Sequence, residues 1–352
     1  MSPLRAGVIG LGTMGRHHVR VLSELPGVEL VGAADPSPAA RSAADGVAAT
    51  ADLDELLALG PDMCVVAAPT LAHTEIGLRL AAAGVHTLIE KPLAHNVPSA
   101  LLLAKTFEDQ GLVSCVGHIE RYNSALRAMR LRLSQGELGA VFQVATRRQG
   151  PFPARIRDVG VVMDLATHDI DLTRWVTGSR YLKVSAFTAR PSGRPHEDLV
   201  AVTGLLRDGT ITNHLVNWLS SMKERVVTVT GERGCLRADA LTSELWFQRN
   251  GAITSDGPRD HPFRNASEGD LIRFAVARRE ALRLELENFR DAVLGKPADI
   301  VTMRQGVEAV EVADAVLAAS YAGTSVNSVT DGVPEPGPSP APERAVGQRV
   351  PT

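Results

Sequence analysis

A short apolar stretch, Gly7-Val8-Ile9, runs directly into Gly10-Leu11-Gly12-Thr13-Met14-Gly15, and a helical pattern of Val19, Leu22 and Leu25 follows at once. Strand, glycine-rich turn and helix in that order commit this segment to one geometry, the G-x-G-x-x-G opening of a βαβ unit. Gly10 permits the tight turn, Gly12 lets the backbone approach a pyrophosphate, and Gly15 lets helix pack on strand. The helix start, through Thr13 and Met14, offers free N–H groups to phosphate oxygens. The next apolar stretch, Val28 to Ala34, ends on Asp35, twenty residues past Gly15. A carboxylate at that strand end accepts hydrogen bonds from both ribose hydroxyls and repels a 2′-phosphate. Pro36 and Pro38 follow, and no Arg or Lys occurs until Arg41, so the pattern predicts NAD, with NADP disfavoured.

Up to about residue 120, short apolar runs alternate with helical ones, which is the rhythm of a parallel, doubly wound sheet. Ligands of such sheets bind outside the carboxyl ends of the strands. Gly10, Asp35, Pro69, Lys91 and His118 fall at or just past such ends, with Thr70, His73 and Glu90 beside them, and together they form the expected coenzyme crevice. The second half changes character. Val141 to Thr146, Val184 to Thr188 and Val226 to Thr230 are β-rich, and Arg207-Asp208-Gly209-Thr210 between two apolar runs is a hairpin signal. Successive hairpins imply a mainly antiparallel sheet with one face to cover. A helix over Val162 to Val176 interrupts it, and a late helix over Glu285 to Leu294 leads back toward the first half.

The fold class expected is therefore α/β. An N-terminal Rossmann doubly wound parallel sheet occupies 1–120, and a C-terminal α+β domain with an open, mainly antiparallel sheet occupies 121–328. From Asp331 onward six prolines and few large apolar residues predict a disordered tail, 329–352. The 352 residues suit two domains, and a net charge of −3 gives no electrostatic reason for nucleic acid or an anionic membrane as partner. No apolar run reaches the roughly 18 residues that span a bilayer. The chain start leads straight into the nucleotide-binding strand, leaving no room for a signal peptide. Cys64, Cys115 and Cys235, without C-x-x-C, speak against a disulfide framework or zinc site and for a reducing compartment, so cytoplasm is expected.

Two segments carry chemistry. In Asp164-Leu165-Ala166-Thr167-His168-Asp169-Ile170-Asp171, a helix puts Asp164 and His168 on one face at i and i+4. Asp164 then holds the imidazole in one tautomer while His168 moves a proton, or the two form an ordinary pair on a solvated helix. A metal held by Asp164, His168 and Asp171 is the weaker alternative, since no other cluster supplies ligands. Lys91, fixed between Glu90 and Pro92 at the crevice mouth, is either a solvated charge or an ammonium that stabilises alkoxide character on a substrate oxygen.

In order along the chain come the glycine loop with His18, then Ala68-Pro69-Thr70 with His73, then Glu90-Lys91-Pro92, then Asp164-x-x-x-His168-Asp169. This set resembles the glucose–fructose oxidoreductase / inositol dehydrogenase / MocA family over about residues 4–325. The resemblance implies NAD(P)-dependent interconversion of a secondary alcohol and a ketone on a sugar, sugar nucleotide or cyclitol. It implies catalysis and substrate contact by Lys91, Asp164 and His168, a loop at Pro69-Thr70 beside the nicotinamide, and a homodimer or homotetramer formed through the C-terminal sheet. Gly117-His118-Ile119-Glu120-Arg121-Tyr122-Asn123 and Leu282 to Phe289 resemble the branch acting at the 3-position of UDP-N-acetylglucosamine. Arg121 and Tyr122 either meet a diphosphate and a sugar face, or Arg121 pairs with a nearby acid and Tyr122 packs between the domains. A keto-sugar reductase of secondary metabolism and a non-catalytic NAD-binding regulator are the rival readings. The regulator needs the glycine loop but not Lys91, Asp164 and His168.

Overall fold

The computed structural model describes residues 2–44, 46–152, 159–253, 266–323 and 326–327; the expected tail 329–352 lies outside the described residues. The first sheet comprises β1 (Leu4–Ile9), β2 (Val28–Ala34), β3 (Ala49–Thr50), β4 (Met63–Val66), β5 (His86–Glu90) and β6 (Ser114–Gly117). All its pairings are parallel, in the order β3-β2-β1-β4-β5-β6. This is the doubly wound order, with a switch point between β1 and β4 above which a dinucleotide lies. β1 and β4 are apolar on both faces because helices cover both, as parallel sheets require. The covering helices are α1 (Thr13–Ser23), α2 (Pro38–Ser42), α3 (Leu53–Ala58), α4 (His73–Ala82) and α5 (Val97–Asp109).

After α6 (Ser124–Ser134) the second sheet begins with β7 (Val141–Gln149). A π-turn at Val162–Ala166 leads into α7 (Thr167–Thr177). The sheet continues through β8 (Tyr181–Ala189), β9 (Leu199–Leu206), β10 (Ile211–Asn217), β11 (Glu224–Gly231), β12 (Gly234–Asp239), β13 (Glu244–Ile253) and β14 (Ala266–Phe274). Then come α8 (Ala281–Val293), α9 (Met303–Ala322) and β15 (Val326–Asn327). Nine strands align as β14-β13-β12-β11-β7-β10-β9-β8-β15. Only β7 with β10 pairs in parallel, so the sheet is mainly antiparallel, and β9–β10 is the hairpin that Asp208-Gly209 announces. Alternation puts Val144, Thr146 and Arg148 of β7 on the helix-covered face and leaves the other face open.

The two halves share their cores. Leu282, Leu286 and Phe289 of α8 pack with Val8, Leu11, Leu22 and Leu88, so the late helix, which starts four residues before the expected Glu285, returns to the first half and completes the cover of its sheet. A second apolar cluster runs without a break from Ile9, Val66 and Ile89 through α5 and α9 to Val184, Val200 and Val216. Val116 N donates to Val301 O at 2.9 Å and Cys115 bridges to Thr302, which adds the segment before α9 to the edge at β6.

Candidate active site

The glycine loop has the geometry its spacing requires. Gly10 sits at φ +92, and a Cβ at Gly15 would lie 1.7 Å from Gly10 O, so neither position accepts a side chain. Over Gly12, by contrast, the space within 4 Å of a would-be Cβ is open. The α1 N-terminus carries no capping side-chain bond and no acid in its first turn, which leaves its N–H groups for a diphosphate. At the end of β2, Asp35 accepts from Leu11 N at 2.7 Å and from Ser37 N at 2.8 Å, fixing its carboxylate beside the loop. Arg41 turns back onto Asp35 O and Pro36 O, at 2.7 and 3.0 Å. This donor set fits a dinucleotide with an unphosphorylated ribose.

Behind the crevice lies a layer of braces. His73 is buried, with its ring nitrogens 3.0 Å from Pro92 O and 2.9 Å from Ala68 O. It ties the Pro69-Thr70 loop to the turn after β5, whose Lys91–Pro92 bond is cis. His18 of α1, fully buried, donates from Nε2 to Glu90 Oε1 at 2.8 Å, and Lys91 N donates to Glu90 Oε2 at 3.2 Å. Burial works against the Glu90 charge, yet His18 and then Lys91 hold its carboxyl below the usual range. The side chains of His73 and Glu90 thus brace the two loops at the strand ends, because buried polar side chains on short turns find backbone and side-chain partners. His118 is buried too, 3.6 Å from Asp171, and burial outweighs that carboxylate and lowers its pKa.

Across the crevice the second half brings the acid–histidine segment up to Lys91. Lys91 Nζ donates to Asp164 O at 2.6 Å and to Asp164 Oδ1 at 3.1 Å, so the lysine turn and the acid–histidine helix meet. The expected pairing of Asp164 with His168 is corrected here: the carboxylate turns to the ammonium. Burial above all, then the charges of Lys91, Arg148, Arg225 and His118, push the His168 imidazole well below its ordinary value. A neutral ring competes poorly with an ammonium for a buried carboxylate. His168 Nδ1 is buried without a hydrogen-bond partner among the described residues. The expected α-helix over 162–176 is also modified, since its first turn is a π-turn. The buried Glu197 holds that turn in place, its Oε1 accepting from Val162 N at 2.9 Å and its backbone O from Val161 N at 3.0 Å.

Arg121 and Tyr122, the expected substrate contacts, lie elsewhere. Arg121 grips Asp171 through Nε at 2.8 Å and reaches Gln305 at 3.0 Å, and Tyr122 donates to Asp299 O at 2.9 Å. Both are buried, so the geometry matches the alternative in which they join the domains. Asp171 faces Arg121, and among the described residues no group of three or more His, Cys, Asp or Glu is placed to hold a metal. Sequence reasoning overlooked a charged cluster next to His168. Arg148 donates to Asp169 at 2.9 Å and to Glu120 at 2.7 Å, and Arg225 donates to the same Glu120 at 3.3 Å. Burial lifts the Asp169 carboxyl above its usual range despite Arg148.

A doubly wound sheet with a glycine-loop dinucleotide site, closed by a lysine and an acid–histidine segment from a second sheet, defines an oxidoreductase. The chain belongs to the Gfo/Idh/MocA oxidoreductase family. Residues 4–118 match its NAD-binding Rossmann domain and residues 130–328 its C-terminal α/β domain. It is 30% identical to UDP-N-acetylglucosamine 3-dehydrogenase of Acidithiobacillus ferrooxidans, over 83% of this chain and 90% of that enzyme. It is 31% identical to myo-inositol dehydrogenase Hyg17 of Streptomyces leeuwenhoekii, over 84% and 90%. The solved structure of the UDP-N-acetylglucosamine 3-dehydrogenase from A. ferrooxidans superposes with a TM-score of 0.80 at 27% identity, covering 92% of this chain and 99% of that one. NAD is thus the coenzyme of the Rossmann half.

Proposed function

We propose that this protein interconverts a secondary alcohol and a ketone on a sugar, sugar nucleotide or cyclitol, with the 3-position of a UDP-N-acetylglucosamine-like substrate favoured. The observation that carries the reading is the Lys91–Asp164 contact across the strand ends, 3.1 Å between ammonium and carboxylate. A coenzyme-binding regulator has no use for it. Bound NAD supplies the hydride acceptor. Thr70 and Pro69 line the nicotinamide end, Asp35 takes the ribose hydroxyls, and the backbone from Gly10 to Gly15 takes the diphosphate. Lys91, held by Asp164, donates a hydrogen bond to the reacting oxygen and stabilises its alkoxide character. His168, neutral because it is buried among cations, accepts the hydroxyl proton in oxidation and returns it in reduction. The reading divides the protein near residue 120, puts it in the cytoplasm and has it assemble as a homodimer or homotetramer through the open sheet face. No helix among the described residues is long and apolar enough to cross a membrane.

The test is turnover of NAD by the full chain against sugar nucleotides, free sugars and cyclitols. Lys91→Met and His168→Ala are each expected to lower kcat by roughly 10²–10⁴ while NAD still binds. Rates equal to wild type in both variants would remove the mechanism.

A further inference from the structure

Arg225 belongs to the charged cluster beside His168 and has less compensation there than Arg148. On β11 it lies directly opposite Arg148 of β7, on the helix-covered side where Val227 and Val229 follow it. Like charges facing each other in an antiparallel pair repel. Arg148 meets this with two carboxylates, Asp169 and Glu120, and is fully buried. Arg225 has only a share in Glu120, through Nη1 to the oxygen Arg148 already uses, and among the described residues its guanidinium has no other hydrogen-bond partner. Its side chain keeps 28% of its surface open to solvent. Burial and the Arg148 charge both destabilise its cationic form, and its field reaches His168. A guanidinium held beside a like charge, half-covered, with donors left over, is stabilised by an incoming anion, and its planar fork matches a carboxylate or phosphate.

The geometry points to Arg225 as a specificity-determining residue that takes an anionic group of the substrate, a carboxylate or phosphate, through the N–H groups Glu120 leaves open. This rests on the dehydrogenase reading above and adds the side chain that takes the substrate's anionic group. Glu120 joins the two halves, since it follows β6 and clamps arginines of β7 and β11, and Arg148, which shares it with Arg225, also holds Asp169, the neighbour of His168.

The experiment titrates glucuronate (carboxylate alone), UDP (diphosphate alone) and myo-inositol (neutral) into NAD-saturated wild type and Arg225→Gln. Turnover of UDP-N-acetylglucosamine and its uronate is measured alongside, with thermal unfolding as the folding control. The variant is expected to bind one of the two anions about 10–100-fold more weakly, to bind myo-inositol as wild type does, and to show a raised KM with a smaller change in kcat. Which anion is affected identifies carboxylate or phosphate as the group recognised. Arg225→Lys is expected to restore part of the loss. Equal affinities in wild type and variant, no binding of either anion to wild type, or equal losses for neutral and anionic ligands would overturn the proposal and leave Arg225 as an anchor for Glu120. Arg225-dependent anion binding without turnover of any compound keeps this inference and removes the dehydrogenase reading. Turnover of a neutral cyclitol with Arg225→Gln silent does the reverse.

Discussion

His168 is the residue whose environment says most about its use. An imidazole depressed well below 6.5 stays neutral in the physiological range, so under the proposed mechanism its free nitrogen is open to the alcohol proton, and the same burial makes it a weaker base than an exposed ring. The sign is fixed: activity in the oxidation direction is lost only when pH falls through that lowered pKa. The acidic limb of kcat/KM is therefore expected below pH 6.5, and a pH–rate profile checks it. An acidic limb centred at 6.5 or above would assign the proton to another group. The strand end that carries Lys91 and the segment that carries Asp164 were legible in the sequence and the structure brings the two together, whereas the roles expected of them and of His168 came from the family resemblance. Arg121 and Tyr122 were legible as chemistry but not as direction, since the single 3₁₀ turn at Ile119–Tyr122 has no periodicity from which a face can be read. Arg148 and Arg225 left a signal that was not used: each is a charge at a position where strand alternation calls for an apolar residue.

Among the elements, the turn that carries Asp164 matters most. Residues 162–176 have an α-helical pattern, and nothing in that pattern reveals that Val162–Ala166 takes the wider π form. The cause is tertiary, because Glu197 from the β8–β9 connection binds the N–H of Val162. Gly160 makes room for it: a Cβ there would meet Glu197 Oε1 at 2.0 Å. Gly160→Ala is expected to expel the Glu197 carboxylate and Glu197→Ala to lose the cap, each costing about 1–2 kcal/mol of stability. Both should lower kcat more than they raise KM, because the reach of Asp164 to Lys91 changes. Glu197→Gln keeps the acceptor and should recover most of the loss. Thermal unfolding with steady-state kinetics measures all three, and variants indistinguishable from wild type in both would show that the clamp does not set the site.

Over the whole molecule, the open face of the nine-stranded sheet is what a monomer leaves unexplained. Phe187 stands 74% exposed on β8, on the side facing away from the helices. Large exposed apolar groups on a broad sheet face mark an association surface. Phe187→Glu is expected to shift sedimentation from dimer or tetramer toward monomer, and a wild-type protein that sediments as a monomer would remove the proposed assembly. The rhythm of strands and helices revealed both sheets in the sequence, because periodicity is local. The sharing of one core between them was hidden, since contacts such as Ile9 with Val216's cluster span two hundred residues of chain and leave no local trace.

That α8 covers the apolar side of β1 has a consequence for the order in which the protein matures. While the ribosome is still making the middle of the chain, Val8, Leu11 and Leu22 have no lid, because Leu282, Leu286 and Phe289 have not yet been synthesised. The coenzyme-binding half precedes α8 in the chain yet packs against it, so stable uptake of NAD is expected only once α8 has been made, and NAD affinity of a chain cut before Ala281 checks this.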